Sequence, residues 1–278
     1  MMLSSKISTG IVYLVGAGPG AADLLTLRAV RLLERADVIV HDRLVSEEIL
    51  ALANPAAERI YVGKRRAEHC LPQEQINELL VRLAHSHACV VRLKGGDPFI
   101  FGRGGEEAET VVAAGIEVQI VPGVTAALAC AAQAGIPLTH RGVSRSVTFV
   151  TGHTKDGELD VDFVGLARSL TAGDSAKGGG STLVVYMGIA TLPKLAAGLA
   201  AAGLDLSIPA ALVERGGTPR QRELRGNLGE LAVQGQAWTN GGPALLIIGE
   251  VAVGYAVRAK IDTANSGVVI GAREFFPG

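Results

Sequence analysis

Between Gly95 and Gly105 the chain sets five glycines and Pro98 in eleven residues, with Asp97 and Arg103 as the charged groups among them. The loop follows an apolar run, so it sits where a buried strand ends. Glycine lets the backbone take positive φ and lets a ligand approach closely, and a turn that is only structural needs far fewer. This segment therefore reads as a ligand-binding loop. A second strand-end turn, Gly16-Ala17-Gly18-Pro19-Gly20-Ala21, matches G-x-G-x-x-G/A, and Asp42 closes the next apolar run where a ribose-binding acid would stand. On those terms it fits an NAD site. Pro19 removes a backbone donor, however, and the helical pattern starts only near Thr26, so a structural turn or another ligand fits equally well. The stretch VPGVTAA at 121–127 is a third such turn, entering a helix of small residues. Close helix packing explains it by itself; its repetition of the Gly95 pattern points to a shared ligand.

Seven cations, Arg43, Lys64, Arg65, Arg66, Arg103, Arg141 and Arg145, fall on predicted loops. Scattered surface charge is the ordinary explanation. Several of them stand near strand C-terminal ends, where convergence would suit a small substrate bearing several carboxylates or phosphates. Met187, read by composition alone, is core filling. No metal site is expected. Cys70, Cys89 and Cys130 are far apart and odd in number, His69 beside Cys70 has no second pair, and the six histidines lack ligand spacing.

The elements that would position these groups alternate along the chain. Strand-like runs at 11–15, 38–40, 59–62, 89–93 and 118–121 are separated by helical patterns at 26–35, 73–85 and 106–114. This rhythm predicts an α/β fold with a largely parallel sheet covered on both faces, and ligands beyond the strand C-terminal ends. A boundary near 141–145 precedes further strands at 147–151, 183–187, 209–213 and 244–251 and a helix at 192–202. The expected division is residues 1–143, residues 144–257 and a tail, 258–278. The segment TAGDSAKGGGST at 171–182 has linker composition and is expected to be a mobile surface loop. At 278 residues, with 48% hydrophobic and 19% charged, the chain can fill two cores. A net charge of -1 and 4% aromatics argue against nucleic acid, and no apolar run suits a membrane span or a signal peptide. The unpaired cysteines fit a reducing cytoplasm.

The ordered set VGAGPG, VIVHDRLVS, VGKR, RLKGGDPFIFGRGGEE, VPGVTAA, GIPLTHR, VTGH, VYMG and PALLIIGEV, spanning about 14–251, resembles the tetrapyrrole methylase family. Within it the set looks like the uroporphyrinogen-III C-methyltransferases. The resemblance implies two α/β domains of the class III methyltransferase fold, each a parallel or mixed sheet flanked by helices, in a homodimer. It implies S-adenosylmethionine bound in the cleft, with S-adenosylhomocysteine as product. It implies methylation of a tetrapyrrole, uroporphyrinogen III, at C2 and C7 to give precorrin-2 for sirohaem, cobalamin or haem d1, by a stand-alone methyltransferase. Cofactor contacts then fall on Pro19, Gly95, Gly96, Asp97, Ile100, Thr125, Ala126, Met187, Ala211 and Ala244. Asp42 matches the proton acceptor and Lys64 the proton donor. Arg103 is assigned to anchoring the substrate's carboxylates, with Glu106 and Arg141 facing the tetrapyrrole and Arg43 and Arg145 joining them. On this resemblance the NAD match is a chance one.

Overall fold

The computed structural model describes residues 9–63, 71–153, 159–171 and 180–254. Five short strands, β1 (Ile11–Gly16), β2 (Val38–His41), β3 (Glu58–Tyr61), β4 (Cys89–Lys94) and β5 (Val118–Val121), form a sheet in the order β3-β2-β4-β1-β5. Every pairing in it is parallel. Alternate residues supply the two faces, as the period of two demands. Tyr13 and Val15 pack with Leu33 of α1 (Leu27–Leu33) and Ile49 of α2 (Glu47–Leu50). Val12 and Leu14 pack with Leu80 of α3 (Gln73–Ala84) and Val111 of α4 (Gly104–Ala113). Thr26 starts α1, its side chain accepting from the Ala29 N–H, so the helix begins as late as the sequence indicates. A sheet that is parallel throughout puts the loops after β1, β2, β4 and β5 along one edge.

The second sheet joins β6 (Ser144–Thr151), β7 (Gly180–Tyr186), β10 (Ala244–Ile248), β8 (Pro209–Glu214) and β9 (Arg222–Asn227), in that spatial order. Only β6 and β7 are parallel; the other three pairings are antiparallel. One face is covered by α6 (Phe163–Thr171), α7 (Leu192–Ala201) and α8 (Leu228–Trp238). The other is covered by α5 (Ala126–Gln133), whose Ala127, Cys130 and Ala131 pack with Val184, Ala211, Val213, Leu245 and Ile247. Core membership therefore changes between β5 and α5, ahead of the expected boundary at 143/144.

The short α2, together with α6, α8 and β9, had no counterpart in the sequence pattern. The β9 sequence RELRGN is polar on an exposed edge strand, so no apolar alternation marks it. Helix α8 starts at a capping box, the Asn227 side chain accepting from Glu230 N–H and Glu230 reaching back to the Asn227 N–H. Helix α6 ends at Thr171 and β7 starts at Gly180, so both ends of the expected linker are regular structure. Residues 172–179 lie outside the described residues, as do 255–278. No helix among the described residues is long and apolar enough to cross a membrane.

Candidate active site

The glycine loops meet at the strand ends. The Gly18 N–H donates to Gly96 O at 3.1 Å, and the Gly96 N–H returns the bond to Gly18 O at 2.6 Å. Asp97 ties in the third loop: Oδ2 accepts from the Gly123 N–H at 3.0 Å and Oδ1 from the Phe99 N–H at 2.9 Å. The approach is close enough that a Cβ on Gly16 would lie 2.5 Å from Gly123 N. These bonds decide the dinucleotide match. Two of the donors a pyrophosphate would need from this turn, the Ala17 and Gly18 N–H groups, are taken by Lys94 O and Gly96 O, and Ala22–Leu24 is a 3-10 turn lying between the turn and α1.

A cavity of about 420 Å³ opens against these loops, within the range of small-molecule sites. The first half contributes Pro19 from the loop after β1, Gly95, Gly96, Asp97 and Ile100 from the loop after β4, and Thr125 and Ala126 from the start of α5. The second half contributes Met187 after β7 and Ala244 at the start of β10. Asp42 and Arg103 stand in the same wall. Nine of the ten positions assigned to the cofactor thus converge on one space. Ala211 is the exception, fully buried on β8 in the core shared with α5. Among the substrate positions, Arg103 lines the cavity and pairs with Glu106, whereas Glu106, Arg43, Arg141 and Arg145 are exposed and do not line it. Lys64 lies outside the described residues.

Backbone strain gathers here too. Among the described residues four that are not glycine have positive φ, and three of them, Phe101 (52°), Arg103 (58°) and Met187 (53°), line the cavity. Such conformations cost on the order of 1–3 kcal/mol each and are held where function needs them. Met187 is 52% exposed, which removes the reading of it as core filling.

The polar groups have defined partners. Asp42 Oδ1 accepts from the Leu44 N–H at 2.9 Å, and Oδ2 faces Arg92 Nη2 at 3.5 Å. Arg103 grips Glu106 with both arms of its fork, Nε to Oε1 at 2.8 Å and Nη2 to Oε2 at 2.6 Å. That bond holds the Glu106 carboxyl below the usual range and raises Arg103 further. The pair is half exposed, so it contributes no more than about 1 kcal/mol and can open to another carboxylate. Tyr186, at the end of β7, bridges the halves: its hydroxyl lies 2.7 Å from Thr125 Oγ1 and accepts from the Ala127 N–H at 3.1 Å. Burial raises its pKa, so it stays a phenol, and Phe101 packs against its ring at 4.9 Å between centroids. Tyr186→Phe leaves the Ala127 N–H without this acceptor and is expected to destabilise the fold by about 1–3 kcal/mol, read as a lower unfolding midpoint. An unchanged midpoint would mean the bridge contributes nothing.

Sequence reading overlooked Arg92, Lys94, Gln73, Phe101 and Tyr186, all of which line the cavity. A signal existed for the first two: charges alternating with Val91 and Leu93 in a central parallel strand have no solvent to face. Cys130 also borders the cavity, but burial pushes its thiol up to about 12. It is expected to resist iodoacetamide at pH 8 in the folded protein; peptide mass mapping that finds Cys130 labelled while the fold is intact would contradict this. Among the described residues, no group of three His, Cys, Asp or Glu is placed to hold a metal ion.

The sequence pattern described as Tetrapyrrole (Corrin/Porphyrin) Methylases matches residues 11–232. The chain belongs to this family. A uroporphyrin-III C-methyl transferase of Thermus thermophilus, complexed with S-adenosylhomocysteine, shares 44% identity with a TM-score of 0.73, over 88% of this chain and 99% of that one. A cobalt precorrin-4 methyltransferase of cobalamin biosynthesis gives 25% identity and a TM-score of 0.73, over 90% and 99% of the two chains. The siroheme synthase of Azotobacter vinelandii is 55% identical over 242 residues, which is 87% of this chain and 50% of that protein. The chain thus spans about half the length of the curated relatives it matches. This tetrapyrrole methylase has the class III methyltransferase fold, two sheets flanked by helices with the cavity where they meet.

Proposed function

We propose that this tetrapyrrole methylase transfers methyl groups from S-adenosylmethionine to C2 and C7 of uroporphyrinogen III, giving precorrin-2 by way of precorrin-1. One observation carries the reading: nine positions matched to the family's cofactor contacts, drawn from both halves, converge on one cavity that also holds Asp42. The cavity fits the cofactor. Its walls are mostly apolar, its volume suits a nucleoside-sized ligand, and glycine loops bring backbone to its edge. Pro19, Gly95, Gly96, Asp97, Ile100, Thr125, Ala126, Met187 and Ala244 would hold it. When bound, S-adenosylmethionine supplies an electrophilic methyl group on a sulfonium sulfur.

A reduced tetrapyrrole presents an electron-rich, enamine-like ring carbon, so the protein need not generate a strong nucleophile. Its main contribution is alignment, which is worth up to roughly 7–11 kcal/mol in favourable cases. The ring is left cationic and must release a proton. Asp42, part-exposed in the cavity wall, is the acceptor within this reading, its carboxylate oriented by Leu44 and Arg92. Arg103 cannot act as a base because guanidinium stays protonated. It anchors a substrate carboxylate by exchanging it for Glu106, while Lys64 is assigned the proton donor on resemblance alone. The substrate-facing roles of Arg43, Arg141 and Arg145 have no support from their positions and play no part in this mechanism. A homodimer in the cytoplasm belongs to the same reading.

The test is turnover. The purified chain, given uroporphyrinogen III and S-adenosylmethionine under anaerobic conditions, should yield a doubly methylated product by mass. Absence of methylation with S-adenosylhomocysteine still binding would redirect the reading to another tetrapyrrole.

A further inference from the structure

Next to Asp42 lies a set of buried charges of which the mechanism above uses only Arg92. Strand β4 places Arg92 and Lys94 on the face covered by α3 and α4, where they are 3% and 4% exposed. Both meet one carboxylate of α4, Glu107, which is fully buried. Glu107 Oε1 accepts from Lys94 Nζ at 2.8 Å, Arg92 Nε at 3.1 Å and Gln73 Nε2 at 3.2 Å, whereas Oε2 has no hydrogen-bond partner among the described residues. Burial, and then the neighbouring Arg92, pulls the Lys94 pKa down; Glu107 counters both. One anion between two cations leaves this trio positive, and Asp42 is the fourth member that balances it.

Arg92 has little freedom. Its Nη1 donates to Val40 O at 3.4 Å and Leu93 O at 3.1 Å, its Nε to Glu107, and its Nη2 faces Asp42. One Asp42 oxygen is held by its own turn at Leu44 and, among the described residues, the other by Arg92 alone. The direction in which Asp42 offers its carboxylate thus depends on a group two contacts away.

We infer that Glu107 is a positioning residue for methyl transfer: acting through Arg92 it fixes the Asp42 carboxylate, and Lys94 fixes Glu107 in turn. This rests on Asp42 being the proton acceptor. A purely structural role, a buried pair holding α4 to β4, predicts something different, because it acts on stability and not through Asp42.

Glu107→Gln keeps the shape and an acceptor oxygen but drops the charge. It is expected to lower kcat on uroporphyrinogen III by roughly tenfold, with KM and S-adenosylhomocysteine affinity within about twofold, since alignment and not binding is lost. Placed in the Asp42→Asn chain, the same substitution should add no further loss, because the group it acts through is gone. Lys94→Met should show the same pattern, and it replaces Glu107→Gln if the latter has no cooperative unfolding transition. Unchanged kcat, or a loss that multiplies with that of Asp42→Asn, overturns the inference. The wild-type chain in the same assay separates the two levels. If it does not methylate uroporphyrinogen III, the functional reading falls and takes this one with it. If it does and Asp42→Asn matches it, only the assignment of Asp42, and so of Glu107, is lost.

Discussion

Asp42→Asn is expected to reduce turnover of uroporphyrinogen III by about 10²–10⁴-fold, the usual contribution of a positioned general base. Asparagine is nearly isosteric, and its amide oxygen can still accept the Leu44 N–H that Asp42 Oδ1 accepts at 2.9 Å. It cannot take up a proton from the cationic ring. The amide also leaves Arg92 without an anion at its Nη2, which now lies 3.5 Å from Asp42 Oδ2. S-adenosylhomocysteine affinity, measured by calorimetry on the same protein, should stay near that of the wild type, because the loops that would hold the cofactor are tied by Gly18, Gly96 and Asp97 and not by Asp42. Turnover close to wild type would remove Asp42 from the chemistry and direct attention to water or another group in the cavity wall.

Gly123→Ala should remove cofactor binding almost completely. A Cβ there would lie 2.3 Å from Gly96 O and 2.8 Å from Gly16 Cα, and neither is the end of a flexible side chain that could swing aside. The loops after β1, β4 and β5 must then separate, breaking the contact of Gly123 with Asp97 Oδ2. A misplacement of about 1 Å is enough to lose on the order of a hundredfold in rate, and overpacking costs about 1–3 kcal/mol of stability besides. Gly105→Ala is the control. Among the described residues nothing lies within 4 Å of its added Cβ, and it sits in the first turn of α4, so alanine should be neutral or stabilise slightly. Equal S-adenosylhomocysteine affinity in both variants would show that the close approach of the three loops is not what shapes the site.

Much of the site was legible because it lies on backbone-dictated positions. A run of glycines after an apolar strand marks a ligand loop whatever the tertiary context, and the βαβ rhythm puts such loops on one edge of a parallel sheet. The order of the family's motifs carried the rest of the assignment, including Met187, which composition alone would have placed in the core. Helix α1, strand β4 and the small-residue helix α5 were all marked by local signals of period and turn chemistry, whereas Thr26 emerged as the α1 cap only in the structure.

What needed the tertiary structure was every feature that depends on two segments meeting. Whether the glycine turn after β1 could cradle a phosphate turned on Gly96, far along the chain, which occupies its donor. The side on which α5 packs follows from which core can take its alanines and Cys130, and the second sheet offers Val184, Ala211 and Leu245 to them. The alternation in β4 marks Arg92 and Lys94 as buried charges but not their partner, Glu107 of α4, since a local pattern cannot state what a buried charge is paired with. Arg103 was legible as a cation on a glycine-rich loop, with its partner Glu106 only three residues on, but only the fold set it in the cavity wall and sent Arg43, Arg141 and Arg145 elsewhere. Residue type and local spacing thus determined which backbone would approach a ligand, whereas side-chain pairing, which depends on contacts distant in sequence, was decided by packing alone.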